Sequence, residues 1–506
     1  MSPNDTLQLV SVLAALFFLS PVLGEWIGKV LEAETHLLSF LRPVEVSLYR
    51  CLGIQEQQQM NWKRYLSAVL VFSLAGLVLL FLLLLFQGVL PLNPQSFPGA
   101  SWHLAFNTAA SFVSNTNWQA YGGESTMGYL VQMLGLTVQN FVSAATGIAV
   151  LAALARGLRG RETDELGNFW VDLTRTTLYI LLPLSFIFAL TLIGQGVVQS
   201  FSSYVSAQTL EGATQTIPLG PAASQIAIKQ LGTNGGGFFN TNSAHPFENP
   251  TPFTNWLELL AILLIPASLP FSFGKWIKTR KHGAVLFFTM SLLLITALTF
   301  SLWSEFLPNP TLGAGALMEG KETRIGVMNS ALWSVFTTAA SNGSVNAMHS
   351  SLSPLSGGVA LFNILLGEIV FGGVGSGLYG MVIFAILTVF LAGLMVGRTP
   401  EYLGKKIEAL EVKMAIVAVL IPNVVILVGA GVSIMLPVAL ASLSAKGPHG
   451  LTEMLYAFAS AGGNNGSAFA GLSANTPYYN VGNFGRGKRI GLFIHDSHST
   501  RGRISR

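Results

Sequence analysis

Gly232-Thr233-Asn234-Gly235-Gly236-Gly237 follows a short semi-apolar segment, residues 225–231, and three similar stretches occur elsewhere in the chain. These are Ser114-Asn115-Thr116-Asn117, Ser341-Asn342-Gly343-Ser344 and Gly462-Gly463-Asn464-Asn465-Gly466-Ser467. They follow segments 105–111, 334–340 and 455–461, which are too short to cross a membrane. One Asn-Gly pair usually marks only a turn. Four such stretches, starting at residues 114, 232, 341 and 462, indicate an internal repeat.

Composition places this repeat in a membrane. Of the 506 residues, 51% are hydrophobic and 10% are charged, whereas soluble domains carry about 25% charged residues. The first apolar stretch lacks the basic flank and cleavage site of a signal peptide, so we expect it to be retained as a helix. The apolar stretches that come near the roughly 20 residues needed to span are residues 7–23, 66–86, 130–154, 178–196, 256–273, 284–303, 381–396 and 414–436.

Lys and Arg concentrate in alternate connections. Residues 29–64, 156–175, 275–281 and 398–413 are basic, whereas residues 91–101 and 200–222 contain no Lys or Arg. This distribution predicts that the basic connections are cytoplasmic and that the N-terminus is outside. The formal net charge of +4 is therefore interpreted as a sign of topology rather than of nucleic-acid binding. With Cys51 as its single cysteine, the chain cannot form an intrachain disulfide.

The spacing of the four stretches leaves room for two spanning helices between neighbours. We therefore predict an all-α polytopic membrane protein with four helix–pore-helix–helix repeats after an extra N-terminal helix. The predicted units are an N-terminal helix and cytoplasmic loop (1–64), repeat 1 (65–155), repeat 2 (156–275), repeat 3 (276–413), an incomplete repeat 4 (414–480) and a basic tail (481–506).

The composition of the four loops suits a cation filter. Non-helical backbone persists at membrane depth only where it is buried in protein or lines a water-filled path, and rings of backbone carbonyls can replace the hydration shell of a cation. Glycine permits the bent backbone that such a ring requires. The four loops contain no Asp or Glu, which disfavours a tight divalent site. A monovalent cation is the simplest interpretation.

Five stretches resemble one family, the potassium-binding subunit of the bacterial Kdp-type ATP-driven potassium pump. They include Ser111-Phe-Val-Ser-Asn-Thr-Asn-Trp-Gln-Ala-Tyr121, together with residues 231–249, 344–348, 397–406 and 463–471. The resemblance implies the fold of the superfamily of potassium transporters. It also implies selection of external potassium at the filter, and lateral delivery through an intramembrane tunnel to a P-type ATPase catalytic subunit. Small accessory membrane subunits, a location in the bacterial cytoplasmic (inner) membrane, and no cofactor other than the transported ion are further implications.

The resemblance assigns roles to specific positions. The potassium filter would comprise Ser114, Asn115, Thr116, Asn117, Gln119, Gly232, Thr233, Asn234, Gly235, Ser341, Asn342, Gly343, Ser344, Gly463, Asn464, Asn465 and Gly466. Coordination is expected from backbone carbonyls more often than from side chains. No phosphorylation motif is present, and the only aspartates are Asp5, Asp164, Asp172 and Asp496. The chain is therefore expected to be non-catalytic.

A glycine-rich segment in repeat 3, residues 367–377, predicts a broken helix, because each glycine costs up to about 1 kcal/mol in a helix interior. Close helix packing through small residues is the alternative. The predicted gate residues are Glu368, Gly372, Gly373 and Gly375. Glu258 lies near the end of its apolar stretch, which leaves Glu368 as the carboxylate expected at membrane depth. His245 and Glu248 are expected at the surface or bracing the filter.

Residues 398–413 are polar and are predicted to be helical and cytoplasmic. Their charges indicate either topology alone or docking of the ATPase partner through Arg398, Lys405 and Lys406. The resemblance stops near Val481, where another apolar helix is expected but a basic tail follows. We therefore predict that the last helix is lost. Two alternatives to a pump subunit remain: a stand-alone channel or gradient-driven potassium transporter, and a truncated inactive product.

Overall fold

The computed structural model describes residues 2–160, 165–308 and 318–482. Within these ranges eight helices are long and apolar enough to cross a membrane. Each of them contains or overlaps one of the eight predicted stretches, so the predicted spans are confirmed. These helices are α1 (Pro3–Leu31), α3 (Trp62–Leu85), α5 (Val131–Arg159), α6 (Phe169–Gly194), α8 (Pro252–Trp276), α9 (Arg280–Glu305), α12 (Ser376–Val396) and α13 (Ala409–Ile434).

Shorter helices complete the repeats. Four of them end at the Asn/Gly-rich loops and are the pore helices: α4 (Trp102–Val113), α7 (Ala222–Leu231), α10 (Gly326–Ala339) and α14 (Pro448–Gly463). The other short helices of six residues or more in the described part of the chain are α2 (Arg42–Leu52), α11 (Pro354–Leu365) and α15 (Pro477–Gly482). The order of helix, pore helix, loop and helix therefore recurs in repeats 1 to 3 as predicted, and repeat 4 has its first helix, pore helix and loop within the described residues. Of the predicted tail, only residues 481 and 482 are among the described residues.

Two helices form the centre of the molecule. Of the 18 most apolar consecutive residues of each helix, 78% are buried in α5 and 83% in α8, against 22% in α12 and 28% in α13. The extra helix α1 packs closely on α8, because a methyl group at Gly24 would overlap the carbonyl oxygen of Ser268. The Ser272 hydroxyl donates to the Gly24 carbonyl at 2.8 Å. Small residues thus allow the two backbones to approach.

The second half of repeat 3 is broken, as predicted. Helix α11 ends at Leu365, α12 begins at Ser376, and five of the residues between them have positive φ. These residues are Gly367, Glu368, Phe371, Gly373 and Gly375. The break is therefore a folded loop rather than a packed helix.

Strands are few. An antiparallel hairpin, β1 (Val205–Gln208) with β2 (Thr214–Ile217), lies in the connection before α7. A second hairpin, β3 (Glu401–Tyr402) with β4 (Lys405–Lys406), follows α12. The prediction of a helix over residues 398–413 was therefore wrong for its first part, since α13 begins only at Ala409. The reason lies in Gly404, whose φ of +75° suits a tight turn.

Candidate functional site

The four pore helices hold the four loops in the same way. In each repeat one carbonyl near the end of the pore helix accepts the N–H of the residue five positions later. The donors are Thr116, Asn234, Asn342 and Asn465, and the acceptors are Ser111, Lys229, Thr337 and Ser460, at 2.8–3.0 Å. These contacts align the four loops, so the four donors occupy one equivalent position, which we call the middle position.

The residues that flank the middle position have a left-handed backbone in every repeat. Before it, Asn115, Thr233, Ser341 and Asn464 have φ of +69°, +48°, +55° and +76°; after it, Asn117, Gly235, Gly343 and Gly466 have φ of +53°, +80°, +91° and +98°. Left-handed backbone costs an L-residue roughly 1–2 kcal/mol, except glycine and sometimes asparagine. Repeating it in four loops therefore indicates a function that needs this backbone.

Steric contacts give the order of the loops around an axis. A methyl group on Gly235 would overlap the Asn342 carbonyl oxygen. A methyl group on Gly343 would likewise overlap the carbonyl oxygen of Asn465, and one on Gly466 would overlap that of Thr116. Loop 2 therefore packs on loop 3, loop 3 on loop 4, and loop 4 on loop 1. The amide of Asn115 closes the ring by donating to the carbonyl of Thr233 at 3.0 Å.

Side chains of the loops are used mainly to join neighbours. The Asn342 amide donates to the Lys229 carbonyl at 3.3 Å, and the Ser341 hydroxyl to the Asn464 carbonyl at 2.9 Å. The Asn464 amide donates to the Ser114 carbonyl at 2.8 Å. These amides and hydroxyls are therefore occupied in contacts between repeats. Coordination of the ion by backbone carbonyls stays a prediction.

Gln119 lies beside the ring and links loops 1 and 2. Its Nε2 donates to the Gly237 carbonyl and its Oε1 accepts the Gly237 N–H, both at 2.9 Å. The side chain is thus occupied in a two-way pair with the backbone. Trp118 is 4% exposed and packs in an apolar cluster with Phe112.

A cavity of about 580 Å³ lies on one side of the ring. All four residues that follow the middle position, Asn117, Gly235, Gly343 and Gly466, contribute to its wall. His349 also lines it, and burial lowers the pKa of this imidazole to about 4. The imidazole is therefore neutral near pH 7 and adds no positive charge at the entrance.

The predicted gate residues lie directly against the ring. In the loop between α11 and α12, the Gly373 N–H donates to the Ala340 carbonyl at 2.5 Å, and the Val374 N–H to the Thr233 hydroxyl at 3.0 Å. The Glu368 side chain is buried and its Oε1 accepts from the Asn465 amide at 2.6 Å. A move of this loop would therefore disturb loops 2, 3 and 4.

The predicted docking residues do not form one free patch. Arg398 and Lys406 are exposed. The Lys405 ammonium donates to the Gly157 carbonyl at 2.6 Å, which ties the β3–β4 hairpin to the end of α5. Lys405 thus has a role within the chain.

Sequence reasoning did not predict that three charges are buried together behind loop 2. Lys229, Glu248 and Glu258 have no exposed surface. Glu258 is the seventh residue of the spanning helix α8 and is fully buried, so Glu368 is not the only buried carboxylate near the loops. The expectation that Glu368 lies at membrane depth stays a prediction. The available signal was Lys229 itself, a charge within the short semi-apolar segment before the loop. Glu248 braces the filter region, which agrees with one of the two expectations for it.

Comparisons with known proteins agree on one family. The family model "Potassium-transporting ATPase A subunit" matches residues 10–484. The "Potassium-transporting ATPase potassium-binding subunit" of Pseudomonas aeruginosa is 56% identical over 95% of this chain and 86% of its own. The protein of the same name from Leptospira interrogans is 54% identical over 94% and 85%, respectively. The crystal structure of the potassium transporter TrkH from Vibrio parahaemolyticus has a TM-score of 0.54 at 14% identity, over 99% of this chain and 98% of that one. This last likeness concerns the fold.

Proposed function

Because this chain belongs to the family of potassium-transporting ATPase A subunits, we propose that its ring of four loops binds and selects potassium for an ATP-driven import pump. The observation that carries the proposal is the ring itself. Eight left-handed residues in four loops bring uncharged carbonyls together around one axis. Such a site replaces the water shell of a monovalent cation without the carboxylates that divalent ions prefer.

ATP hydrolysis belongs to a partner in this proposal. None of the four aspartates of the chain, Asp5, Asp164, Asp172 and Asp496, lies in a phosphorylation motif. The names of the relatives describe them as potassium-binding subunits of an ATPase. We infer that this chain supplies ion binding, and that a P-type catalytic subunit with small accessory subunits supplies the energy.

The gate loop and a small cavity support a lateral route for the ion. The cavity, of about 140 Å³, lies between repeats 3 and 4. Gly463, the last residue of α14, and Gly367, at the start of the gate loop, both line it. Potassium that passes the ring would meet Glu368 and then reach this cavity, from which a tunnel to the catalytic subunit would lead. In this proposal the basic loops lie in the cytoplasm, and the opposite face of the ring, with its larger cavity, faces the outside of the cytoplasmic membrane.

Potassium uptake tests the proposal. A transport-deficient strain would be starved of potassium and would express this chain with or without the ATPase subunit. Growth and ⁸⁶Rb⁺ uptake are expected only when both are present. Growth with this chain alone would instead favour a stand-alone channel or gradient-driven transporter. No rescue under either condition, with the protein present in the membrane, would favour the inactive product.

A further inference from the structure

Loop 2 is braced differently from the other three loops. In repeats 1, 3 and 4, the residue that caps the middle position also offers a hydroxyl. Thr337 and Ser460 accept the N–H groups of Gly343 and Gly466, each at 2.9 Å, and Ser111 accepts that of Trp118. In repeat 2 this residue is Lys229, whose ammonium group can donate hydrogen bonds but cannot accept one. Loop 2 must therefore be held by other means.

Lys229 reaches the loop through Asn242. Its Nζ donates to the Asn242 Oδ1 at 2.7 Å, and the Asn242 Nδ2 donates to the Gly235 carbonyl at 3.2 Å. Gly235 is one of the left-handed residues of the ring. The N–H groups of Asn234 and Gly235 both donate to the Lys229 carbonyl. In addition, loop 2 is held at a carbonyl oxygen, the kind of atom that would face an ion, whereas the corresponding side-chain contacts of the other loops are made to N–H groups.

The ammonium is neutralised in place. Lys229 and Glu248 form a fully buried ion pair, and Lys229 also lies 3.2 Å from the Ser243 hydroxyl. A buried charge is tolerated only when it is paired and hydrogen-bonded. Removing either partner alone would leave the other uncompensated next to the ring.

The network also extends to loop 3. Glu258 accepts from the Gln230 amide and the Ser243 hydroxyl, each at 2.8 Å. The Gln230 Oε1 in turn accepts from the Ser344 hydroxyl at 3.0 Å. The charged cluster therefore touches both loops 2 and 3, which places it where it can set the distance between their carbonyls.

We propose that Lys229, paired with Glu248, is a positioning residue that sets the ion preference of the ring by holding the Gly235 carbonyl through Asn242. This inference rests on the proposed function. Selectivity in carbonyl filters depends on the number and placement of the carbonyls. If the Gly235 carbonyl is held less firmly, the ring should be able to contract around Na⁺ or widen around Rb⁺.

The test is ion-dependent thermal stabilisation of the full chain in detergent, titrated separately with KCl, NaCl and RbCl. Wild-type protein should be stabilised at lower concentrations of K⁺ than of Na⁺. If wild-type protein is not stabilised by K⁺, the proposed function fails before this inference is reached. If it is stabilised, the variants decide.

The main variant is Lys229→Met with Glu248→Gln, which removes both charges and leaves neither one buried alone. We expect the ratio of K⁺ to Na⁺ affinities to fall about tenfold, as is typical when a residue that orients a ligand is removed. The double variant Lys229→Ser with Glu248→Gln installs the hydroxyl used by the other repeats. It should recover part of the lost preference.

Lys321→Met with Glu305→Gln is the matched control. Lys321 and Glu305 form another buried ion pair, at 3.1 Å, and Glu305 also accepts from the Ser353 N–H at 2.6 Å, at the start of α11. This control should lower the unfolding temperature without changing the ratio of K⁺ to Na⁺ affinities. If the Lys229/Glu248 variant likewise keeps the wild-type ratio and only unfolds earlier, the pair is merely structural and the inference is overturned.

Discussion

Residues of different type occupy equivalent places in the four loops. After the middle position, three loops have glycine and loop 1 has Asn117, whose amide donates to the Asn140 side chain at 2.6 Å. Asparagine is one of the few residues other than glycine that tolerates a left-handed backbone. Loop 1 therefore keeps the shared backbone and gains a contact with α5. At this scale, the backbone angle is the shared property and the side chain is the variable one.

Gly343→Ala is expected to weaken potassium binding by at least about tenfold. Its φ of +91° disfavours alanine, and the new methyl group would overlap the Asn465 carbonyl oxygen. The left-handed backbone alone costs roughly 1–2 kcal/mol, which corresponds to about tenfold in affinity. K⁺-dependent thermal stabilisation measures the loss. Gly431→Ala, a substitution inside α13 with no atom within 4 Å, is the control and should bind as wild type does.

Glu368→Gln is expected to weaken uptake at low external potassium several-fold. The substitution removes the charge but keeps an oxygen that can accept from the Asn465 amide. In the wild-type chain the Asn465 amide lies 2.6 Å from the Glu368 Oε1. A buried carboxylate beside an ion path would attract the cation through its negative charge. Ionisable groups at membrane depth are usually functional. The concentration dependence of ⁸⁶Rb⁺ uptake by the complex gives the apparent affinity. An unchanged apparent affinity would remove Glu368 from the ion path.

Elements outside the ring are also joined by charged side chains, as the contact between α2 and α6 shows. The Glu45 carboxylate of α2 accepts from Tyr49 and Tyr179, each at 2.7 Å, and from Arg175 of α6 at 2.8 Å. Arg42 pairs with the same carboxylate at 2.8 Å. A helix that is too short and polar to span is thus fastened to a spanning helix by one buried carboxylate.

The contact between α2 and α6 predicts a pH dependence of stability. Burial disfavours the charged carboxylate, but the hydrogen bonds from Tyr179, Tyr49, Arg175 and Arg42 outweigh it and lower the pKa of Glu45 from 4.5 to about 2. The stabilisation is therefore complete above pH 4.5 and is lost as the pH falls towards 2. It amounts to no more than about 3 kcal/mol.

Glu45→Gln should accordingly unfold at lower temperature than wild type at pH 7, and the difference should shrink as the pH falls towards 3. Circular dichroism in detergent measures both transitions. Glu401→Gln, an exposed carboxylate in the β3–β4 hairpin, is the control. A difference that stays constant over this pH range would contradict the assignment to the Glu45 charge.

The arrangement of the whole molecule follows from the sidedness of its connections. The distribution of Lys and Arg predicts that the basic connections and Cys51 lie on one side of the membrane, and the pore loops with the β1–β2 hairpin on the other. Lipid-facing helices α12 and α13 expose large apolar side chains, among them Leu391, Leu420 and Val428. Such surfaces are stable only against lipid or another membrane subunit.

Cysteine labelling checks this sidedness. Cys51 is exposed and is the only cysteine in the chain, so a membrane-impermeant maleimide should label it only after the cells are permeabilised. In a Cys51→Ser background, Leu210→Cys at the exposed tip of the β1–β2 hairpin should be labelled in intact spheroplasts. The reverse pattern would place the N-terminus and the ring entrance on the cytoplasmic side.

The sequence by itself determined the eight spans, the four loops, the broken helix and the family. These features depend on local properties: hydropathy over about 20 residues, the tolerance of Gly and Asn for left-handed backbone, and the amino-acid sequences of the motifs. Only the tertiary structure decided the order of the loops around the ring, the pairing of Gln119 with Gly237, the β3–β4 hairpin and the buried charges of Lys229, Glu248 and Glu258. The physical reason is that the hydrogen-bond partner of a polar side chain, and the cost of burying its charge, depend on residues that are distant in the chain and meet only when the helices pack.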